Sequence, residues 1–108
     1  MTYLFVKRRA NRSYEPMYIK AQTDLINGKP LEATDEFKNV ISSIKPDSPF
    51  YTSSLVGLAQ AYMQLQEYDK ALKYITEAQE LVKNKPNEIL KSQISKLQIR
   101  IQNPQVTA

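Results

Sequence analysis

The stretch from Leu55 to Ala78 constrains this chain more than any other. Its apolar and small residues fall at Leu55, Leu58, Ala59, Tyr62, Tyr68, Ala71, Ile75 and Ala78. They write two helical faces, Leu55/Leu58/Ala59/Tyr62 and Ala71/Ile75/Ala78, separated by the polar turn Gln64-Leu65-Gln66-Glu67. Three alanines stand where a packed helix would ordinarily carry bulk. A small side chain on a buried face lets a neighbouring backbone come close, so Ala59, Ala71 and Ala78 predict close contacts between two antiparallel helices.

An earlier stretch repeats the pattern. Ala21, Gly28, Ala33, Phe37 and Val40 take the places of Ala59, Gln66, Ala71, Ile75 and Ala78 at an offset of 38 residues, read directly from the sequence. This copy is degenerate, with Lys20 and Asp24 where the later unit has Leu58 and Tyr62. Met17, Tyr18, Ala21 and Leu25 share one side of a first helix, which Asn27-Gly28 closes with a left-handed cap. Pro30 suits the first turn of a second helix, whose buried stripe is Ala33, Phe37, Val40, Ile41 and Ile44. In the link Lys45-Pro46-Asp47-Ser48-Pro49, two prolines stop that helix and Asp47 or Ser48 caps the next. Asn84-Lys85-Pro86-Asn87 ends the second unit, with Asn87 as cap of a fifth helix. The stripe of that helix is Leu90, Ile94, Leu97 and Ile101, backed by Lys91, Ser92, Ser95, Lys96 and Gln102.

The second unit resembles the tetratricopeptide repeat, whose order of large, small and aromatic positions it follows through both helices. It departs from that pattern at Leu55, where the family has Trp, at Gln66, where it has a turn Gly, and at Pro86, where its closing Pro is displaced. The resemblance implies an all-α fold of antiparallel helix hairpins. About two repeat units would form a fragment of a right-handed α-α superhelix, with a C-terminal capping helix covering the last apolar side. The expected organisation is a basic arm over 1–14 and a helical domain over 15–102. That domain divides into a degenerate repeat (15–46), a well-formed repeat (49–85) and a cap (87–102), followed by a tail over 103–108.

The chain of 108 residues has no Cys and no His. This removes disulfides, thiolate metal sites, the commonest general base and the commonest zinc ligand. With no glycine-rich phosphate loop and no serine elbow, the sequence points away from an enzyme, a metal site or a cofactor. Asp35-Glu36 and Glu77-Glu80 read as solvated helix faces. Tyr62, Tyr68, Tyr74 and Phe37 read as core.

The charge is uneven. Lys7, Arg8, Arg9 and Arg12 sit in the first thirteen residues without an acid, so the other Lys and Arg residues match the eleven acids one for one. The excess of +4 therefore belongs to the arm. With Tyr3-Leu4-Phe5-Val6 before it, the arm looks like the inner end of a membrane anchor with its basic stop. Contact with nucleic-acid phosphates is disfavoured, because its aromatics are not interleaved with its bases.

The resemblance further implies that the first helix of each pair lines a concave face. Residues there that miss the packing stripe are Tyr18, Ile19, Gln22 and Ile26 on the first helix and Ser53, Val56, Gly57, Gln60, Met63 and Gln64 on the third. Ser92 and Ser95 extend the set on the fifth. This uncharged, amide-rich surface suits a peptide or partner helix. Some members of the family hold acidic carboxyl tails with a Lys/Asn/Arg clamp, which the Ser, Gly, Gln and Ile at these places do not match. The leading expectation is a non-enzymatic protein–protein interaction scaffold, cytoplasmic or membrane-associated. The alternatives are a homo-oligomer joined through Ile19, Ile26 or Ile99, and the soluble part of a membrane-tethered assembly factor.

Overall fold

A computed structural model describes residues 14–103. They form five α-helices: α1 (Tyr14–Ile26), α2 (Pro30–Ser43), α3 (Pro49–Gln64), α4 (Tyr68–Val82) and α5 (Glu88–Gln102). Among the described residues there is no strand.

The helix ends follow from local chemistry. Pro30 and Pro49 open α2 and α3, where a missing N–H costs nothing. Ser48 Oγ accepts from the Phe50 N–H at 3.3 Å and Asn87 Oδ1 from the Leu90 N–H at 3.0 Å, so both residues serve as N-caps.

The two hairpin turns are built alike, 38 residues apart. Gly28 has φ +75° and Gln66 φ +60°. The Lys29 N–H reaches back to the Asp24 carbonyl at 2.8 Å, and the Glu67 N–H to that of Tyr62 at 2.9 Å. Inside these bonds the Gly28 N–H donates to Leu25 at 3.3 Å and the Gln66 N–H to Met63 at 2.9 Å. This is the paired closure of a helix whose next residue is left-handed. The turn glycine and the glutamine that replaces it do the same work.

Each helix packs antiparallel on the next, and α3 is central, touching all four others. It also approaches α1 and α5, whereas the backbones of α2 and α4 stay apart. The five helices therefore form two layers, α1/α3/α5 and α2/α4. Because the first layer is in contact while the second is splayed, the slab curves with α1, α3 and α5 on its inner side.

Ala59, Ala71 and Ala78 are fully buried, as are Ala21 and Ala33. Leu55, Leu58, Phe37, Ile75 and Ile94 supply the bulk between them. Burying one such side chain contributes about 1.5–3 kcal/mol, so this alternation of small and large residues is the main source of cohesion. On α5, Ile94, Leu97 and Ile101 are buried against α4 and Leu90 is half-buried, which closes the apolar side of the second hairpin.

Three expectations need correction. Ile41 and Ile44 are half-buried, and so are Tyr68 and Tyr74, which pack against the edge of the core without entering it. Thr34, by contrast, is buried and satisfies its hydroxyl by donating to the Leu31 carbonyl at 2.7 Å. Asp24 is also buried, and Glu36 is half-buried and not a solvated carboxylate. Lys20 Nζ bridges the two, 2.9 Å from Asp24 Oδ2 and 2.7 Å from Glu36 Oε1. In the second hairpin the equivalent places of Asp24 and Glu36 hold Tyr62 and Tyr74, whose rings stack at 5.6 Å. An ion-paired cluster thus fills the space that an aromatic stack fills one repeat later.

Candidate functional site

The inner side of the curve carries a groove whose walls come from α1, α3 and α5. At its centre a cavity of about 190 Å³ is lined by residues including Tyr18, Gln22, Ser53, Val56, Gln60 and Gln93. It shares Leu25 and Gln60 with a second cavity of about 490 Å³, which adds Ile26, Met63, Gln64, Leu97 and Arg100. In the other direction it shares Ser53, Leu90 and Gln93 with a third of about 360 Å³, where Asp47, Val82 and Lys85 join. The three form one continuous depression across the slab.

The floor of this groove is α3, which contains no charged residue. The amides along the groove are held to different degrees. Gln64 Nε2 donates to the Leu25 carbonyl at 3.3 Å and so ties α3 to α1. Gln22 Nε2 donates to the Tyr18 hydroxyl at 2.8 Å. Gln60 is exposed and stands between them.

Tyr18 owes its position to aromatic packing. Its ring meets Phe37 edge-on at 6.0 Å and Phe50 at 5.2 Å, while Tyr14 meets Phe50 at 5.2 Å. Gly57 lies beneath this group. A Cβ there would stand 2.6 and 2.7 Å from Cε2 and Cε1 of Phe37, so Gly57 offers the groove only its backbone.

Of the residues expected to meet a partner, Tyr18, Gln22, Ser53, Val56 and Gln60 line one cavity together with the Gly57 backbone. Ile26, Met63 and Gln64 line the adjoining one. Ile19 is exposed and lines none of these cavities. Ser92 and Ser95 are exposed and line none either. At 3.6 residues per turn, Ser95 falls on the far flank of the Leu90/Ile94/Leu97/Ile101 stripe and Ser92 on its back. Gln93 and Arg100 take the groove-facing flank instead. The stripe alone does not say which flank turns inward; the way α5 packs on α4 decides it. The arm residues Lys7, Arg8, Arg9 and Arg12 lie outside the described residues.

The opposite layer gathers the charge. Lys38 and Lys70 each lie 5.5 Å from the centre of the Tyr62 ring, and Lys73 lies 5.6 Å from that of Tyr74. The Tyr62 hydroxyl beside it holds the Lys38 ammonium above its ordinary pKa, and Glu67, 2.9 Å away, does the same for Lys70. Lys20 is raised by its bonds to Glu36 and Asp24, and Asp24 is lowered by its bond from Lys20. Among the described residues no group of three or more Asp and Glu is arranged to hold a metal ion. No described helix is long and apolar enough to cross a membrane.

The family model of the tetratricopeptide repeat matches residues 53–85. No curated protein and no solved structure matches the chain. Repeats of this family generally mediate protein–protein interaction and are typically non-enzymatic. The matched residues run from Ser53 in α3 through the Gln66 turn to the end of α4, so this hairpin matches the tetratricopeptide repeat, within an all-α chain of helix hairpins.

Proposed function

We propose that this chain is a non-enzymatic protein-interaction scaffold and that the groove of α1, α3 and α5 receives a peptide or a partner helix. The observation that carries this reading is the contrast between the two layers. The α2/α4 layer spends its polar groups on ion pairs and cation–π contacts, while the groove presents an uncharged helix with the amide of Gln60 exposed. Amides donate and accept together, which suits a ligand that brings its own backbone N–H and C=O groups. A shallow groove on a slab of this size supports affinities on the order of micromolar.

The test is capture from the native extract by the parent chain, by Gln60→Arg and by Lys73→Glu, with circular dichroism to show that all three stay helical. Gln60 is chosen over Gln64 because the latter also joins two helices. Proteins kept by Lys73→Glu and lost by Gln60→Arg support the groove. Proteins lost by Lys73→Glu and kept by Gln60→Arg move the binding face to the other layer.

A second reading is self-association, favoured by the exposure of Ile19, Ile26 and Ile99 at 61%, 83% and 59%. Sedimentation across a dilution series separates the two readings. A monomer at low micromolar concentration rules out the oligomer.

A further inference from the structure

Arg100 adds a chemical preference to the groove. It is the only arginine among the described residues and forms no ion pair with any of them. It stands at the rim of the largest groove cavity, about 490 Å³, whose other lining is Leu25, Ile26, Met63 and Leu97 with the amides of Gln60 and Gln64. Among the described residues no carboxylate lines that cavity or the central one. On α1, Lys20 and Asp24 are engaged elsewhere, tied together and to Glu36 of α2 through the Lys20 ammonium. An apolar cup with one unpaired guanidinium on its edge is complementary to an apolar side chain beside a single negative charge.

The kind of negative charge follows from Arg100 being the one cation among the described residues that lines these two cavities. A guanidinium presents a planar fork of donors that a carboxylate meets with both oxygens. A phosphoryl group carries about −1.5 to −2 charge and calls for more than one cation. Resting on the groove reading above, we infer that the ligand is a peptide in which an aliphatic residue neighbours an acidic one. The aliphatic side chain enters the cup between Leu25, Met63 and Leu97, and the carboxylate meets Arg100. The Gln60 amide takes the peptide backbone beside it. Lysine- and arginine-rich peptides are rejected, because their charge meets the guanidinium without a counter-ion.

The experiment is selection from a displayed library of random peptides carrying no free carboxyl terminus. The baits are the parent chain, Arg100→Gln, Arg100→Lys, Arg100→Glu and Gln60→Arg, each checked by thermal melt. Arg100 is exposed, so these variants keep the fold. Peptides drawn by the parent are expected to be enriched in Asp or Glu next to Leu, Ile, Val or Met. Their affinity should fall about tenfold in Arg100→Gln, as befits one charge-assisted pair. It should fall less in Arg100→Lys, and Arg100→Glu should draw basic peptides instead. Peptides that are lost by Gln60→Arg but indifferent to Arg100→Gln overturn the acidic preference and leave the groove standing. Peptides indifferent to both changes, or a library from which the parent draws nothing, overturn the groove reading as well.

Discussion

The ring of Phe37 in α2 occupies the space that a side chain at position 57 of α3 would need. It leaves Cε1 and Cε2 only 2.7 and 2.6 Å from where a Cβ would stand. Gly57 therefore costs its helix intrinsic stability and returns a close approach of the first hairpin to the second. Replacing it with Ala in an open helix would stabilise by about 1 kcal/mol. Here a rigid aromatic blocks the methyl group, and overpacking of this kind costs about 1–3 kcal/mol. The clash wins, so Gly57→Ala is expected to lower stability in urea unfolding and to reduce Tm by several degrees. An unchanged or raised Tm contradicts the packing described.

Gln66 repeats the turn of Gly28 at the left-handed φ of +60°, where a Cβ is strained by about 1–2 kcal/mol. Gln66→Gly should relieve much of that strain, offset by the larger chain entropy of glycine. A net gain of about 0.5–1 kcal/mol is expected. Gly28→Gln should show the opposite sign, since nothing crowds the site and only backbone strain enters. Urea midpoints of the two variants check the pair together.

The Lys20–Asp24–Glu36 cluster stands where the second repeat has Leu58, Tyr62 and Tyr74. Lys20→Leu alone leaves two neighbouring carboxylates without their shared cation and should lower Tm. The triple change Lys20→Leu, Asp24→Tyr and Glu36→Tyr transplants the apolar set and should recover Tm to the parent value or above. Well-packed apolar groups commonly match or exceed the ion pairs they replace. A triple variant less stable than Lys20→Leu would show that the two hairpins are not packed alike.

The same cluster sets a pH dependence. The bond from Lys20 lowers the Asp24 pKa in the folded chain below its ordinary value. That contribution is fully present above the unfolded pKa, near 4, and is lost as pH falls through the folded one. Lys20 is raised, so its contribution is complete below the ordinary lysine value and fades only at strongly alkaline pH. Asp24→Asn should therefore lower stability at neutral pH and flatten its decline between about pH 5 and 3. Chemical denaturation at a series of pH values tests this, and parallel declines in parent and variant contradict it.

The second hairpin was legible because its helices alternate bulk and alanine at helical spacing, and burial follows that alternation at every position but Tyr68, which is half-buried where α4 begins. The first was legible through Ala21, Gly28, Ala33 and Phe37, which keep the register. Its polar centre was not, because the sequence does not disclose that Lys20 reaches both Asp24 and Glu36. Thr34 was missed for a related reason: its hydroxyl is satisfied within its own helix turn, which lets a polar residue take a buried place. On the inner side, Tyr18, Gln22, Ile26, Ser53, Val56, Gln60, Met63 and Gln64 could be picked out as cavity-lining residues because they flank the packing stripes, whereas Ile19 flanks its stripe and lines none of the three cavities. Arg100 and Gln93 could not, since Leu90, Ile94, Leu97 and Ile101 define a buried stripe without saying which flank faces α3.

The most direct test of the central claim is site-specific photocrosslinking in the native extract. A photoreactive amino acid is placed at Gln60 in the groove in one sample and at Lys73 on the opposite layer in another. Discrete adducts are expected from position 60, suppressed by Gln93→Arg, and none of the same adducts from position 73. Adducts from position 73 with none from position 60 would contradict it.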